Sequence, residues 1–296
     1  MTIRVSRRQL LAASMLTVPA FSSLSVQAQP PRSSQEAGTR LAELERRHGG
    51  RLGVAILNVA TGARVAHRAH ERFLLTSTGK VLAAARVLAR VDRGEERLDR
   101  RIRYSRQKLV TWSPVTERHV GAPGMTLAAL CEAAITQSDN TAGNLLLASF
   151  GGPAALTAYA RALGDDVTRF DRIEPALNEH EQVGDQRDTT TPMAMLENFR
   201  ALFVGDALSR ASRAQLAAWL ITNKTGDTRL RAGLPAQWLV GDKTGTNGSG
   251  TANDIGIAWP ADRGAVIVMA YCEMPAASAE VRNEVIATVG RIAATV

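Results

Sequence analysis

The sequence predicts an α+β fold: an antiparallel five-stranded sheet flanked by the terminal helices, with an all-α block inserted into it. Three observations predict it. A helical stretch and two strand-like runs open the chain, a long middle reads as helices, and three strand-like runs and a helix close it. Outer pieces at 29–70 and 222–296 then share one sheet, and 71–221 form the helical block. A cleft between a sheet edge and a helical block is a usual place for a ligand.

The elements follow in order. Residues 34–48 read as a helix, stopped by Gly49-Gly50. Runs 51–59 and 64–67 flank Thr61-Gly62 and read as a hairpin. Residues 76–93 contain the strong helix formers Val81-Leu82-Ala83-Ala84-Ala85. Thr126 caps a helix reaching about Thr136, and 140–150 form another that stops at Gly151-Gly152. Pro153 suits the first turn of a helix running to Leu163. Thr191-Pro192 opens a helix to Phe203, and 208–221 give one more. Residues 169–188 show no period; so long a connection in a compact domain tends to be functional. Residues 238–246, 251–259 and 265–272 read as strands, the first pair linked by the turn formers Asn247-Gly248-Ser249-Gly250. Residues 278–296 close the chain as a helix.

The 296 residues are 45% hydrophobic and 22% charged, which suits a globular protein and excludes a disordered one. Two cysteines exclude a disulfide-dense scaffold. The net charge is +8, but Arg4, Arg7 and Arg8 supply three charges within residues 1–28, which hold no acid. The remaining +5 is interleaved with acids and forms no basic stripe with aromatics, so nucleic-acid binding is not expected. Arg7-Arg8 precede an apolar run to about Val18, and Val26-Gln27-Ala28 offers a cleavage site. This is an export-signal layout of twin-arginine type and implies a periplasmic or secreted protein. No later apolar run approaches the ~18–20 residues of a membrane span, so no stable membrane association is expected. His48, His67, His70, His119 and His180 are scattered without ligand spacing and read as solvated, so no metal is expected.

Ser77-Thr78-Gly79-Lys80 opens a helix, which puts Lys80 one turn from Ser77. A serine hydroxyl needs a base to become a nucleophile, and a neighbouring lysine serves when its pKa is depressed. The helix N-terminus aims free N–H groups at developing negative charge. Ser138-Asp139-Asn140 lies between two helices; alone it is a helix stop followed by an Asn cap. Lys243-Thr244-Gly245 falls in a strand, where a lysine often blunts an edge, and its glycine lets a ligand approach the backbone. In the long loop, Glu174 and Asn178 stand four apart; one helical turn brings a carboxylate and an amide to one side, able to hold a water.

Ser-x-x-Lys, Ser-Asp-Asn and Lys-Thr-Gly, in that order, are the established signature of penicillin-binding proteins and class A β-lactamases. From about residue 35 to its end the chain resembles a class A serine β-lactamase, with the serine β-lactamase/DD-peptidase-like fold. The resemblance implies Ser77 as nucleophile, Lys80 or Glu174 through a water as acylation base, and Ser138 as proton donor to the leaving nitrogen. It implies Glu174 and Asn178 as the pair placing the deacylating water, Asn140 as binder of the substrate amide, and Lys243, Thr244 and Arg229 as binders of its carboxylate. Gly245 completes that strand motif, Thr246 supplies an oxyanion N–H beside that of Ser77, and Trp112 guards the cleft mouth. Arg172 and Asp188 match the loop-closing ion pair, although 178–188 is one residue longer than the family pattern. Cys131 lacks its usual partner, because Ala84 stands there, and Thr76 with Asn247 cannot form the disulfide of one carbapenem-hydrolysing subgroup. Cys272 reads as a small buried hydrophobe. The resemblance implies no cofactor, small β-lactam substrates (penicillins and cephalosporins), a monomer, and a role in antibiotic resistance. Alternatives are a D-Ala-D-Ala peptidase, which shares the three motifs but usually lacks the Glu174–Asn178 element, a non-catalytic β-lactam sensor, and a general esterase.

Overall fold

The computed structural model describes residues 32–182 and 184–296; the export-type leader lies outside them. Helix α1 (Arg32–His48) leads into β1 (Arg51–Asn58) and β2 (Arg64–His67). The middle of the chain holds β3 (Phe73–Leu74), α2 (Lys80–Asp92), β4 (Arg101–Ile102), β5 (Met125–Thr126), α3 (Leu127–Thr136), α4 (Asn140–Ser149), α5 (Gly152–Ala162), β6 (Thr189–Thr190), α6 (Pro192–Phe203) and α7 (Arg210–Ile221). The chain closes with α8 (Leu230–Gly233), β7 (Leu239–Thr246), β8 (Thr251–Trp259), β9 (Val266–Glu273) and α9 (Ala279–Ala293).

The sheet runs β2-β1-β9-β8-β7 with every neighbouring pair antiparallel. The expected α+β fold is present, and β1 is an interior strand although its partner β9 lies some 200 residues away. Strand β7, which carries Lys243-Thr244-Gly245, is an edge facing the helices. Side-chain caps start most helices: Thr126, Asp139, Thr191, Ser209 and Ser278 each accept a backbone N–H three residues on. The cap of α4 is therefore Asp139, not Asn140, which is free for other partners.

Two apolar cores lie on the two faces of the sheet. The outer one packs Ala37, Leu41 and Leu44 of α1 and Val285, Ile286 and Val289 of α9 against Leu52, Val54 and Ile56. The inner one joins Ile255, Ile267 and Met269 of the sheet to α2, α3, α4, α6 and α7. Burial of this kind stabilises by about 25 cal/mol per Å² of apolar surface.

The structure also corrects other expectations. The helical block contains two two-stranded ladders, β3–β6 and β4–β5; strands of two residues are too short to leave an alternating pattern. The helix expected from residue 76 begins as a 3-10 turn, Thr76–Gly79, before α2. His67 is not solvated: its Nε2 lies 3.1 Å from Glu45 Oε2 in a half-buried contact. The ladder β3–β6 matters for the site, because Leu74↔Thr189 ties the end of the long loop to the segment before Ser77.

Candidate active site

Ser77 sits in the buried 3-10 turn that opens α2 and lines the cleft. Lys80, one turn on, places its Nζ 2.7 Å from Ser77 Oγ. The same Nζ reaches Asn140 Oδ1 at 2.6 Å, the Ser138 carbonyl at 3.0 Å and Glu174 Oε1 at 2.9 Å. An ammonium has three protons. Four acceptors compete for those three protons, so the Ser77 and Glu174 contacts share one, while the Ser77 hydroxyl can donate its own proton to Glu174 Oε1.

Glu174 is buried and held at its backbone. Its N–H donates to Asn144 Oδ1 at 2.9 Å, and its carbonyl accepts from Asn144 Nδ2 at 3.0 Å. The Glu174–Pro175 peptide is cis, and the 3-10 turn Ala176–Asn178 follows. The turn brings Asn178 back over the carboxylate: Asn178 Nδ2 donates to Glu174 Oε2 at 2.5 Å, while its Oδ1 is buried without a protein partner. Ser77 Oγ lies 3.4 Å from Glu174 Oε1, so hydroxyl and acid face the same space.

The loop is closed at its base by Arg172, whose Nε donates to Asp188 Oδ2 at 2.6 Å. Asp188 is almost fully buried and also accepts the backbone N–H groups of Asp171 and Arg172.

The Ser138 turn is built by Asp139. Its carboxylate accepts from Thr116 N, Val115 N and Ala142 N, which anchors α4 to the neighbouring loop. Ser138 adopts φ 55 there, and its Oγ accepts from Lys243 Nζ at 3.1 Å. Lys243 is wholly buried, so it does not blunt the strand edge. Burial, reinforced by the charge of Lys80, pushes its ammonium down to about 7.

Arg229 is buried below β7, not on the surface. Its Nη1 donates to the carbonyls of Gly245 (3.0 Å) and Asn253 (2.7 Å), its Nη2 to Thr246 Oγ1 (2.7 Å) and its Nε to Asn283 Oδ1 (2.9 Å). Behind it, Asp242 and Asp254 face each other in the interior. Burial and the neighbouring Asp242 raise Asp254 far above the carboxylate range, while Arg231 binds Asp242.

Trp112 is 62% exposed and not part of the core. Its Nε1 donates to the Gln137 carbonyl at 3.0 Å, and its own carbonyl accepts from Asn140 N at 2.9 Å. The cleft of about 450 Å³ is lined by Ser77, Trp112, Ser138, Asn140, Asn178, Thr225, Arg229 and Thr244–Thr246.

Of the residues expected at the site, Ser77, Trp112, Ser138, Asn140, Asn178, Arg229, Thr244, Gly245 and Thr246 line the cleft, Lys80, Glu174 and Lys243 contact its wall, and Arg172 with Asp188 lies away from it at the base of the loop. Asn144, Thr225 and Asn247 were not foreseen. Thr225 Oγ1 lies 2.5 Å from Thr244 Oγ1, and Asn247 Nδ2 donates to the Asn178 carbonyl at 2.8 Å. Asn144 stands four residues after Asn140 on α4, and that spacing was the only available signal. Among the described residues, no cluster of His, Cys, Asp and Glu could hold a metal.

Comparison with known proteins agrees with this geometry. The family model described as the Beta-lactamase enzyme family matches residues 36–296. The chain is 48% identical to β-lactamase OXY-1 of Klebsiella oxytoca over 253 residues, which covers 86% of each chain. It is 44% identical to β-lactamase CTX-M-97 of Escherichia coli over 289 residues, 96% of this chain and 97% of that one. Among solved structures, an ancestral class A β-lactamase superposes with a TM-score of 0.84 at 62% identity, covering 86% of this chain and 98% of the other. A putative class A β-lactamase from Rhodopseudomonas palustris gives 0.84 at 58% identity, with 87% and 98% covered. With this coverage and a cleft holding serine, lysine and glutamate in mutual contact, the chain belongs to the class A serine β-lactamases, hydrolases of β-lactam antibiotics.

Proposed function

We propose that the protein hydrolyses penicillins and cephalosporins through an ester on Ser77. The observation that carries this reading is the placement of Lys80 Nζ between Ser77 Oγ at 2.7 Å and Glu174 Oε1 at 2.9 Å. Transfer of one ammonium proton to Glu174 leaves Lys80 with a lone pair on the serine hydroxyl. Ser77 Oγ then attacks the β-lactam carbonyl while Lys80 takes its proton. The N–H groups of Ser77 and Thr246 hold the oxyanion, an effect worth about 3–4 kcal/mol per donor in comparable enzymes. The carbonyl–nitrogen bond breaks as Ser138 passes its proton to nitrogen, with Lys243 at 3.1 Å stabilising the Ser138 oxygen. Ser138 then regains the proton that Lys80 took from Ser77, and Glu174 returns its proton to Lys80, so the ester stands beside an ionised Glu174.

In the second half, a water held by Glu174 and Asn178 Oδ1 attacks the ester. Its proton goes to Glu174, and Ser77 leaves with a proton returned through Lys80. Asn140 binds the substrate amide. Lys243, Thr244 and Arg229 hold the carboxylate, Arg229 mainly by fixing Thr246 and the β7 backbone. Trp112 covers the mouth. The Glu174–Asn178 contact favours turnover over the lasting acylation of a peptidase or a sensor.

Export through the leader to the periplasm or medium, and action as a monomer, complete the proposal. Among the described residues no helix is long and apolar enough to cross a membrane.

The test is mass spectrometry with a chromogenic cephalosporin. Ser77→Ala should show neither adduct nor turnover. Glu174→Gln should acylate slowly and accumulate a Ser77 adduct. Normal turnover by Glu174→Gln would remove the acid from deacylation.

A further inference from the structure

We infer that Thr76 and Asn253 form a positioning pair that sets the acylation geometry of Ser77. The inference rests on Ser77 being the acylated residue and adds two groups that touch no substrate. Neither reaches the cleft: Thr76 is 2% exposed and Asn253 is fully buried.

Thr76 adopts φ 48 immediately before the nucleophile. A β-branched side chain is unusual in the left-handed region, and such a conformation persists only where its surroundings impose it. Here the surroundings are hydrogen bonds. Thr76 Oγ1 donates to the Leu75 carbonyl at 2.7 Å and accepts from Asn253 Nδ2 at 3.2 Å. Asn253 Nδ2 also donates to the Leu74 carbonyl at 2.8 Å. An amide has two such protons, and both are committed to the three residues that lead into Ser77. The other end of the amide is fixed as well, since Asn253 Oδ1 accepts from Cys272 N on β9 at 3.3 Å.

The pair also touches both sides of the oxyanion site. Asn253 lies opposite Gly245 in the β7–β8 ladder, and its carbonyl accepts from Arg229. A Cβ on Gly245 would stand 2.0 Å from Thr76 Oγ1 and 3.2 Å from Ser77 N. The absent side chain at 245 is therefore the space that the Thr76 hydroxyl occupies. A shift of that hydroxyl displaces the Ser77 N–H on one side and the strand leading to Thr246 on the other. The pair holds the two oxyanion donors at a fixed separation, and that separation governs acylation more than ground-state binding.

The experiment uses the whole protein and the variants Thr76→Val, Thr76→Ser, Asn253→Ala and the double variant Thr76→Val/Asn253→Ala. Stopped-flow single turnover of a chromogenic cephalosporin gives the acylation rate and the dissociation constant of the non-covalent complex. Inhibition by an aryl boronic acid, whose adduct on Ser77 puts an oxygen between the donors, reports on the site directly. Thr76→Val should lose fivefold or more in acylation and a similar factor in boronate affinity, with non-covalent binding within twofold of the parent. Thr76→Ser, which keeps the hydroxyl, should recover most of the acylation rate. The double variant should lose no more than the worse single one, because the two share one contact. A loss of less than fivefold in Thr76→Val overturns the inference whatever its melting temperature. So does an equal loss in Thr76→Ser, which would assign the effect to the methyl group. If Asn253→Ala does not fold, the Thr76 variants decide alone. A parent enzyme that forms no Ser77 adduct removes both this inference and the proposed mechanism; a normal parent with a normally acylating Thr76→Val removes only this one.

Discussion

Lys243 is a cation that the fold hides completely, and the cost of hiding it makes its charge sensitive to pH. Its folded pKa is about 7 against an ordinary value of about 10.4. Below pH 7 it is an ammonium that can draw a substrate carboxylate and stabilise the Ser138 oxygen; above, it is neutral. The expected outcome is a fall in kcat/KM as pH rises through about 7, read from initial rates in constant-ionic-strength buffers. A bound carboxylate favours the ammonium, so the limb in kcat should lie at higher pH. Stability should move the other way. Between about pH 7 and about 10.4 the unfolded lysine binds a proton that the folded one has released, so unfolding free energy rises with pH by up to roughly 1.4 kcal/mol per unit from this group. Lys243→Met should lose that slope in urea titrations; an unchanged slope would show that the buried amine does not titrate there.

The long loop shows what one residue does for an element. Arg172 and Asp188 close it, and Asp188 is almost fully buried. Removing one partner of a buried pair typically costs about 3–5 kcal/mol, because the remaining charge is stranded. Arg172→Ala should therefore lower the melting temperature and slow deacylation more than acylation, since acylation needs only Glu174 from this loop while deacylation needs Glu174 and Asn178 together to hold the water. Equal slowing of both steps in a burst experiment would place the effect elsewhere. The two cysteines are the quiet counterpart. Cys131 on α3 and Cys272 on β9 are free and buried; burial pushes the Cys272 thiol up to about 12 and that of Cys131 higher. Neither should react with an aromatic disulfide reagent in the native state, and both should react in guanidinium. At this scale the sequence was informative where chemistry and spacing coincide, as in Ser77–Lys80 or Glu174–Asn178. It was silent on Asn144, because a mid-helix asparagine reveals its partner only once α4 is packed under the loop. It also misplaced the α4 cap, since Asp139 and Asn140 are equally good caps and tertiary contacts to Thr116 decide between them.

The order of elements announced a shared sheet, but no local pattern says that β1 lies between β2 and β9 rather than at an edge; that follows from long-range burial on both faces. The double burial has a functional consequence. The cleft lies at the seam between the inner core and the sheet edge, and the outer core is on the far side of the sheet. Leu41→Ala in α1 and Phe170→Ala at the loop's start each empty a buried site, and such truncations cost about 2–5 kcal/mol. For a chain of this size that is a drop in melting temperature of roughly 5–15 °C. Only one should reach the chemistry. Phe170 packs on Gly79, where a Cβ would come within 2.7 Å of its ring, and shares a small internal cavity with Lys80, Glu174 and Leu177. Its loss lets both the nucleophile turn and the glutamate loop relax, so deacylation should fall severalfold at a temperature where the variant is fully folded. Leu41→Ala at the same temperature should acylate and deacylate at parental rates, because the rigid sheet separates it from the seam. Equal kinetic effects from the two, measured by single turnover after circular dichroism has confirmed folding, would mean that the sheet transmits strain across its thickness and that the cores are not independent.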